Sequence, residues 1–189
     1  MSDINETIQE SLEHASESKL NGRVALWVAI CATFMAICNI KDGNIVQAMS
    51  QAQAHSIDSW SYFQAKSTKQ SIAENSLEMI KLQQAAGSDS IIKKLQDKIA
   101  NYDKEKAEIK KQAEGYQQEY DAINVFDDQF DMTEAFLSIA IAMLGITALT
   151  RRKWLFYFSA VIGVLGIVFG LTAFFNISLH SDFISKILG

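Results

Sequence analysis

The residues that could do chemistry lie in an acidic stretch in the second half of the chain. Between Gln112 and Glu134 there are seven Asp and Glu residues and no Lys or Arg. In a helix, Asp131 would lie one turn after Asp127 and Asp128, and carboxylate oxygens are the ligands that Ca²⁺ and Mg²⁺ prefer. The pattern fits either a solvated acidic face, the usual role of a charge run, or a divalent-cation site that these three aspartates complete with a neighbouring chain.

Other catalytic patterns are missing from the sequence. His14, His55 and His180 are far apart, no His and Cys spacing suits zinc, and no glycine loop could cradle a phosphate. Cys31 and Cys38 lie seven residues apart on one face of an apolar segment, which indicates small apolar fillers and not a redox pair. We therefore expect no enzymatic activity, no cofactor and no disulfide.

The composition predicts an all-α membrane protein. The 189 residues include no proline and nine glycines, and no segment alternates apolar and polar residues as a half-buried strand would. Hydrophobic residues make up 49% of the chain and are concentrated in three blocks. Because the net charge is −5 and the Lys and Arg residues are interleaved with acids, no nucleic-acid partner is expected.

Three apolar blocks have the length of membrane-spanning helices. They are residues 24–40, 135–150 and 154–175. The first is an uncleaved anchor, since the acidic segment before it is unlike a signal peptide, and the other two form a tight transmembrane hairpin around residues 151–153. We expect an amphipathic helix over residues 1–20 and an interfacial tail over residues 176–189.

The longest regular pattern in the chain runs from Ile92 to Phe130. Twelve positions alternate at three- and four-residue spacing, and ten of them are apolar or aromatic. Such a seam on a helix needs a partner helix, so it predicts a coiled coil. The candidate interaction residues of this seam are Ile92, Leu95, Ile99, Tyr102, Tyr116 and Tyr120, with Trp60 and Phe63 on the preceding arm.

Residues 44–130 are expected to form a long antiparallel coiled-coil hairpin between the first and second spans. Gly87 and the polar residues after it predict a turn near residues 87–90. The arms before and after Gly87 have 43 residues each, so residues whose numbers sum to about 175 should face each other. The predicted pairs include Ser56 with Tyr120, Ser59 with Tyr116, Phe63 with Ala113, Ala73 with Tyr102, and Ile45 with Phe130.

Small residues on the last span allow another helix to come close. Gly163, Gly166 and Gly170 lie near one face of residues 154–175, and the last two form a Gly-xxx-Gly pair. We expect them to pack within the transmembrane hairpin, and the alternative is an interface with another subunit.

Two short segments resemble a known family. They are Arg23 to Trp27, which opens the first span, and the run Trp60-Ser61-Tyr62-Phe63-Gln64-Ala65-Lys66-Ser67. With the layout of one early span, a central helical region and two closing spans, the chain resembles the family of domain of unknown function 4337. The resemblance implies a bacterial inner-membrane protein and carries over no catalytic residue.

The charges that flank the spans predict their orientation. Five Lys or Arg residues lie on one side and two on the other, which places the N-terminus and the 151–153 loop in the cytoplasm and the coiled-coil hairpin in the periplasm. The function expected is that of a homo-oligomeric scaffold, or of an accessory subunit held to another inner-membrane or envelope protein. The alternative is an oligomeric pore or gating protein, for which Thr33, Asn39, Thr147 and Thr172 are the polar residues available.

Overall fold

A computed structural model describes residues 2–83 and 88–177, with side chains from residue 17 onward. Its described part contains three helices and no strand: α1 Ser2–Gln83, α2 Asp89–Thr150 and α3 Lys153–Phe174. The all-α prediction is confirmed. Gly87, most of the tail predicted over residues 176–189 and the side chains of most of the segment 1–20 lie outside the described residues.

Helix α1 joins elements that the sequence analysis treats separately. Residues 2–20 of the N-terminal segment, the span 24–40 and the first arm as far as Gln83 are one uninterrupted helix of 82 residues. No proline interrupts it, and Gly43, which lies between the span and the first arm, costs a helix only about 1 kcal/mol. The predicted boundaries at residues 20–24 and 40–44 are therefore changes of composition and not of backbone structure.

Helix α2 likewise continues without a break from the second arm into the span 135–150. It ends at Thr150, where Arg151 adopts a left-handed backbone conformation with φ of 56° and its N–H donates to the Thr147 carbonyl. Only Arg151 and Arg152 separate α2 from α3. The tight connection predicted at residues 151–153 is confirmed, with α3 beginning one residue early, at Lys153.

The chain divides into two compact units. The three-helix unit comprises Met1–Val46 and Asn124–Gly189, and the two-helix unit comprises Gln47–Ile123. Each of the three helices includes a stretch long and apolar enough to cross a membrane, by length and composition. This is compatible with a multi-pass membrane protein.

In the three-helix unit, the core forms where the three helices meet. Cys38 of α1, Phe130 of α2 and Ala173 of α3 make one buried cluster, and Ile45 packs against it. Ile45 and Phe130, which the sequence pairs directly, thus belong to one cluster, while their direct contact stays a prediction. Both residues belong to this unit and not to the two-helix unit, because α3 supplies a third wall around them.

The two-helix unit is organised by complementary seams on α1 and α2. All twelve seam positions from Ile92 to Phe130 are buried or half-buried, as the sequence predicts, and the ten from Ile92 to Ile123 belong to this unit. On α1, the ten positions at the same alternating spacing from Met49 to Ile80 are also buried or half-buried. The polar residues that interrupt the apolar pattern of α1 thus lie inside the seam, and their contacts distinguish this unit from an ordinary apolar coiled coil.

Candidate functional site

The seam of the two-helix unit contains hydrogen-bonded polar residues from α1. The Ser56 hydroxyl donates to the Ala113 carbonyl at 3.3 Å, and Nε2 of Gln70 donates to Oδ1 of Asp103 at 3.0 Å. Ser56 and Gln70 are buried. Since a buried polar group without a partner costs free energy, these bonds favour one alignment of the helices over others.

An ion pair lies between these two hydrogen bonds. Nζ of Lys66 on α1 contacts the Glu105 carboxylate on α2 and lies over the rings of Tyr62 and Tyr102, 5.2 and 5.5 Å from their centroids. Hydrogen bonding to Glu105 and then to Tyr62 raises the pKa of Lys66. The same contact with Lys66 lowers the pKa of Glu105. Both groups therefore remain charged across the physiological pH range, and the ammonium group gains a cation–π attraction to the rings.

The candidate interaction residues of α1 and α2 lie on this seam, except Trp60, which is exposed beside it. Trp60 packs edge-on against Phe63 with ring centroids 5.6 Å apart, and Tyr116 stacks on His55 at 5.1 Å. The remaining ones are half-buried, namely Ile92, Leu95, Ile99, Tyr102 and Tyr120. These side chains stabilise the contact between α1 and α2, and Trp60 keeps 37% of its surface exposed.

The register predicted for the two arms is wrong. Ser56 contacts Ala113 and not Tyr120, which is two helical turns away. Tyr116 stacks on His55 where Ser59 was predicted, and Nζ of Lys106, not Ala113, lies over the ring of Phe63. Ser56 and Phe63 thus contact α2 at positions nearer its N-terminus than they would if the two arms faced each other symmetrically about Gly87.

In the three-helix unit, the glycines of α3 contact side chains of the same chain. A Cβ placed on Gly163 would lie 3.3 Å from Sγ of Cys31, and one on Gly170 would lie 2.7 Å from the ring of Phe34. For Gly166, the distance is 3.0 Å both to Cβ of Phe136 and to the Leu137 side chain. All three glycines are buried, so they bring α3 close to both α1 and α2, whereas the sequence analysis expected packing within the hairpin of α2 and α3.

The hydroxyl groups of the apolar segments are mostly used within their own helices. Thr133, Thr147 and Ser159 are buried and donate to the carbonyls of Gln129, Met143 and Leu155 at 2.7 to 2.8 Å. Thr172 donates to Phe169 in the same way. Of the polar residues proposed to line a pore, Thr33 and Asn39 alone are exposed.

A carboxyl pair in the three-helix unit involves Asp42, a residue that the sequence analysis did not single out. Burial raises the pKa of Asp42 to about 6, helped by Asp127, Asp131 and Glu134, and Asp127 is within hydrogen-bonding reach. Burial also raises the pKa of Asp127, and the charge of Asp131 adds to it. Asp42 follows Cys38 by four residues and so lies on the same face of α1, where Cys38 is buried. That spacing is the signal that would have identified Asp42.

The aspartates proposed as cation ligands differ in their surroundings. Asp127 and Asp128 are half-buried, whereas Asp131 is exposed. Among the residues whose side chains the structure describes, no three or more His, Cys, Asp or Glu residues form a group that could hold a metal ion. The proposal that a neighbouring chain completes such a site stays a prediction.

These features define an all-helical protein with three apolar helices of membrane-spanning length and a polar, two-helix unit whose seam is hydrogen-bonded. Its sequence identifies it further. The profile of DUF4337, a domain of unknown function, matches residues 20–176, and the chain belongs to this family. No curated protein and no solved structure matches the chain.

Proposed function

We propose that the protein is a structural component of a bacterial inner membrane, a homo-oligomeric scaffold or an accessory subunit of a larger complex. The three apolar helices anchor it, and residues 44–130 form a coiled-coil hairpin in the periplasm that holds a partner. The observation that carries this proposal is the seam of the two-helix unit. Ten positions of α1, from Met49 to Ile80, follow one spacing and are buried or half-buried, and polar contacts with α2 fix the alignment of the two helices.

A seam of this kind favours a role in holding parts together. Rigid, elongated helical pairs present a long surface at a fixed distance, whereas a catalytic site needs convergent reactive groups in a pocket. The polar seam residues of α1 are engaged with carboxylates of α2 beside its seam: Gln70 with Asp103, and Lys66 with Glu105. We therefore propose that the protein has no enzymatic activity.

The orientation proposed from the flanking charges has one supporting contact. Arg151, in the connection between α2 and α3, forms an ion pair with Glu17 of α1. The N-terminal flank of the first span and the 151–153 loop therefore meet at one end of the three-helix unit. This agrees with the expectation that both lie on the cytoplasmic side.

The oligomeric pore is the weaker candidate. A polar passage would need side chains free to contact water or ions, and buried Thr147 and half-buried Thr172 donate to carbonyls of their own helix. Thr33 and Asn39 are exposed on α1 but lie six residues apart, which is not one helical face.

Mass measurement of the detergent-extracted protein tests the scaffold. We expect a fixed copy number above one over a wide range of dilution, and particle images without a central opening. Monomers at every concentration would overturn the homo-oligomeric scaffold. An oligomer with a central opening that conducts ions in a planar bilayer would favour the pore.

A further inference from the structure

Helix α1 carries a second seam on the side opposite α2. At the same alternating spacing of three and four residues, an exposed series of uncharged positions runs along the two-helix unit. We call it the outer seam, and its members are Ser61, Ala65, Thr68, Ile72, Asn75, Met79 and Leu82. The buried seam of α1 contacts α2, so the outer seam remains without a partner among the described residues.

The outer seam presents a mainly apolar surface, because its hydroxyl groups are already hydrogen-bonded within α1. Ile72, Met79 and Leu82 are 60%, 62% and 82% exposed. The hydroxyls of Ser61 and Thr68 donate to carbonyls one turn earlier in α1, at 2.9 and 3.0 Å. Because these donors are already used, another helix can cover them without leaving an unpaired O–H.

The corresponding face of α2 has the opposite character. Counted in the same way from its own buried seam, that face is exposed, and between residues 94 and 111 it is mostly charged, with Lys94, Asp97, Asn101, Lys104, Glu108 and Lys111. Charged residues on an outer helix face are the usual solution for contact with water. The lack of charge on the outer seam is therefore a property of α1 and not of the whole unit.

We propose that the outer seam is the surface through which two copies of this chain associate, with their α1 helices parallel. The inference rests on the proposed function, in which copies anchored in one membrane share an orientation. In a two-fold pair of parallel helices, each residue near the axis meets its own copy. A charged face would then repel itself, whereas a face without charges does not.

Asn75 supports this choice of partner. It is the only amide in the outer seam, with Ile72 one turn before it and Met79 one turn after it. In a parallel two-fold pair Asn75 would lie beside its own copy, and because a side-chain amide both donates and accepts hydrogen bonds, the two amides can satisfy each other. The next position toward the N-terminus is Asp58, where the uncharged seam ends. The Asp58 side chains of two copies would repel each other there.

Disulfide trapping tests the proposed contact directly. The background is Cys31→Ala with Cys38→Ala, which replaces the two buried free thiols by small apolar side chains. Under a mild oxidant, the Ile72→Cys variant should form a covalent dimer. The matched Lys104→Cys variant, on the outer face of α2 next to Asp103, should stay monomeric on a denaturing gel.

A charge-insertion pair gives an independent readout. Ile72→Glu with Met79→Glu should weaken association by at least about tenfold, because two apolar contacts per copy are replaced by like charges. Asn101→Glu with Gln118→Glu changes the net charge equally on the exposed face of α2 and should leave association unchanged. Circular dichroism should show equal helix content in all three proteins.

The outcomes separate this inference from the proposed function. If the wild type is oligomeric but Ile72→Cys does not crosslink, or crosslinks no more than Lys104→Cys, the outer seam is not the contact and the scaffold proposal stands. The same holds if both charge-insertion variants dissociate equally or not at all. If the wild type is a monomer, both proposals fail.

Discussion

Gly166 illustrates how single residues set the spacing of the three-helix unit. A methyl group at this position would stand 3.0 Å from Cβ of Phe136, an atom that cannot move without the α2 backbone. We expect Gly166→Ala to destabilise the unit by about 1–3 kcal/mol through overpacking. Thermal unfolding in detergent, followed by circular dichroism, measures the change.

Gly145 provides the control for that substitution. It is a helical glycine of the same unit, and a Cβ there would meet no atom within 4 Å. Gly145→Ala should be neutral or stabilise by up to about 1 kcal/mol, since alanine is the better helix former. Equal effects of the two substitutions would mean that α3 does not pack on α2 as closely as the structure has it.

Asp42 should make the stability of the three-helix unit depend on pH. Its pKa of about 6 in the folded chain is higher than the value of about 3.9 for an unfolded aspartate. The carboxyl group therefore contributes stability that is fully present below about pH 4 and is lost as the pH rises through about 6. The acidic groups that face it are Asp127, Asp131 and Glu134 of α2.

The substitution Asp42→Asn should remove this dependence. At pH 7.5 we expect the variant to be more stable than the wild type by about 1 kcal/mol, after allowance for solvent screening, and at pH 4 the two should be equal. Thermal unfolding across this pH range measures the difference. Asp58→Asn, which changes an exposed carboxylate of α1, should leave the pH profile as it is, and an unchanged profile for Asp42→Asn would contradict the burial of that group.

At the scale of elements, the helices and their buried faces could be predicted from spacing. The seam of α2 is visible because ten of its twelve residues are apolar or aromatic, and all twelve are buried or half-buried. The seam of α1 is less visible because Ser56, Lys66 and Gln70 occupy it. Their partners lie on α2, so nothing near them in sequence indicates that they are buried.

The alignment of α1 with α2 could not be predicted for a related reason. A seam that repeats every seven residues matches its partner almost equally well after a shift of one heptad. The apolar pattern therefore leaves several registers open, and equal arm lengths are a weak guide among them. The contacts of Ser56, Lys66 and Gln70 distinguish the registers, and these are contacts between residues far apart in sequence.

Paired cysteines test the alignment within one chain. In the background without Cys31 and Cys38, Ser56→Cys with Ala113→Cys should form an intramolecular disulfide, because these residues are in contact. Ser56→Cys with Tyr120→Cys, two turns away on α2, should not. The gel mobility of the oxidised monomer distinguishes the two. A link only in the second variant would restore the register expected from equal arms.

For the whole molecule, the orientation that we propose in the membrane follows from the charges that flank the apolar segments. The prediction depends on five Lys or Arg residues near the spans on one side against two on the other, and long extramembrane segments do not count in this rule. The ion pair of Glu17 with Arg151 adds that the two basic flanks share one end of the three-helix unit. If the unit spans a membrane, both flanks must then lie on the same side of it. Two orientations remain: both flanks in the cytoplasm, or both in the periplasm.

Labelling of intact spheroplasts distinguishes the two orientations. In the background without native cysteines, Ser88→Cys, next to the first residue of α2, should react with a thiol reagent that cannot cross the membrane. Arg152→Cys, in the connection between α2 and α3, should react only after the membrane is permeabilised. The opposite result would reverse the orientation and place the coiled-coil hairpin in the cytoplasm. The contact proposed for the outer seam would be unaffected, because co-oriented copies turn over together, but any other partner of the hairpin would then lie in the cytoplasm.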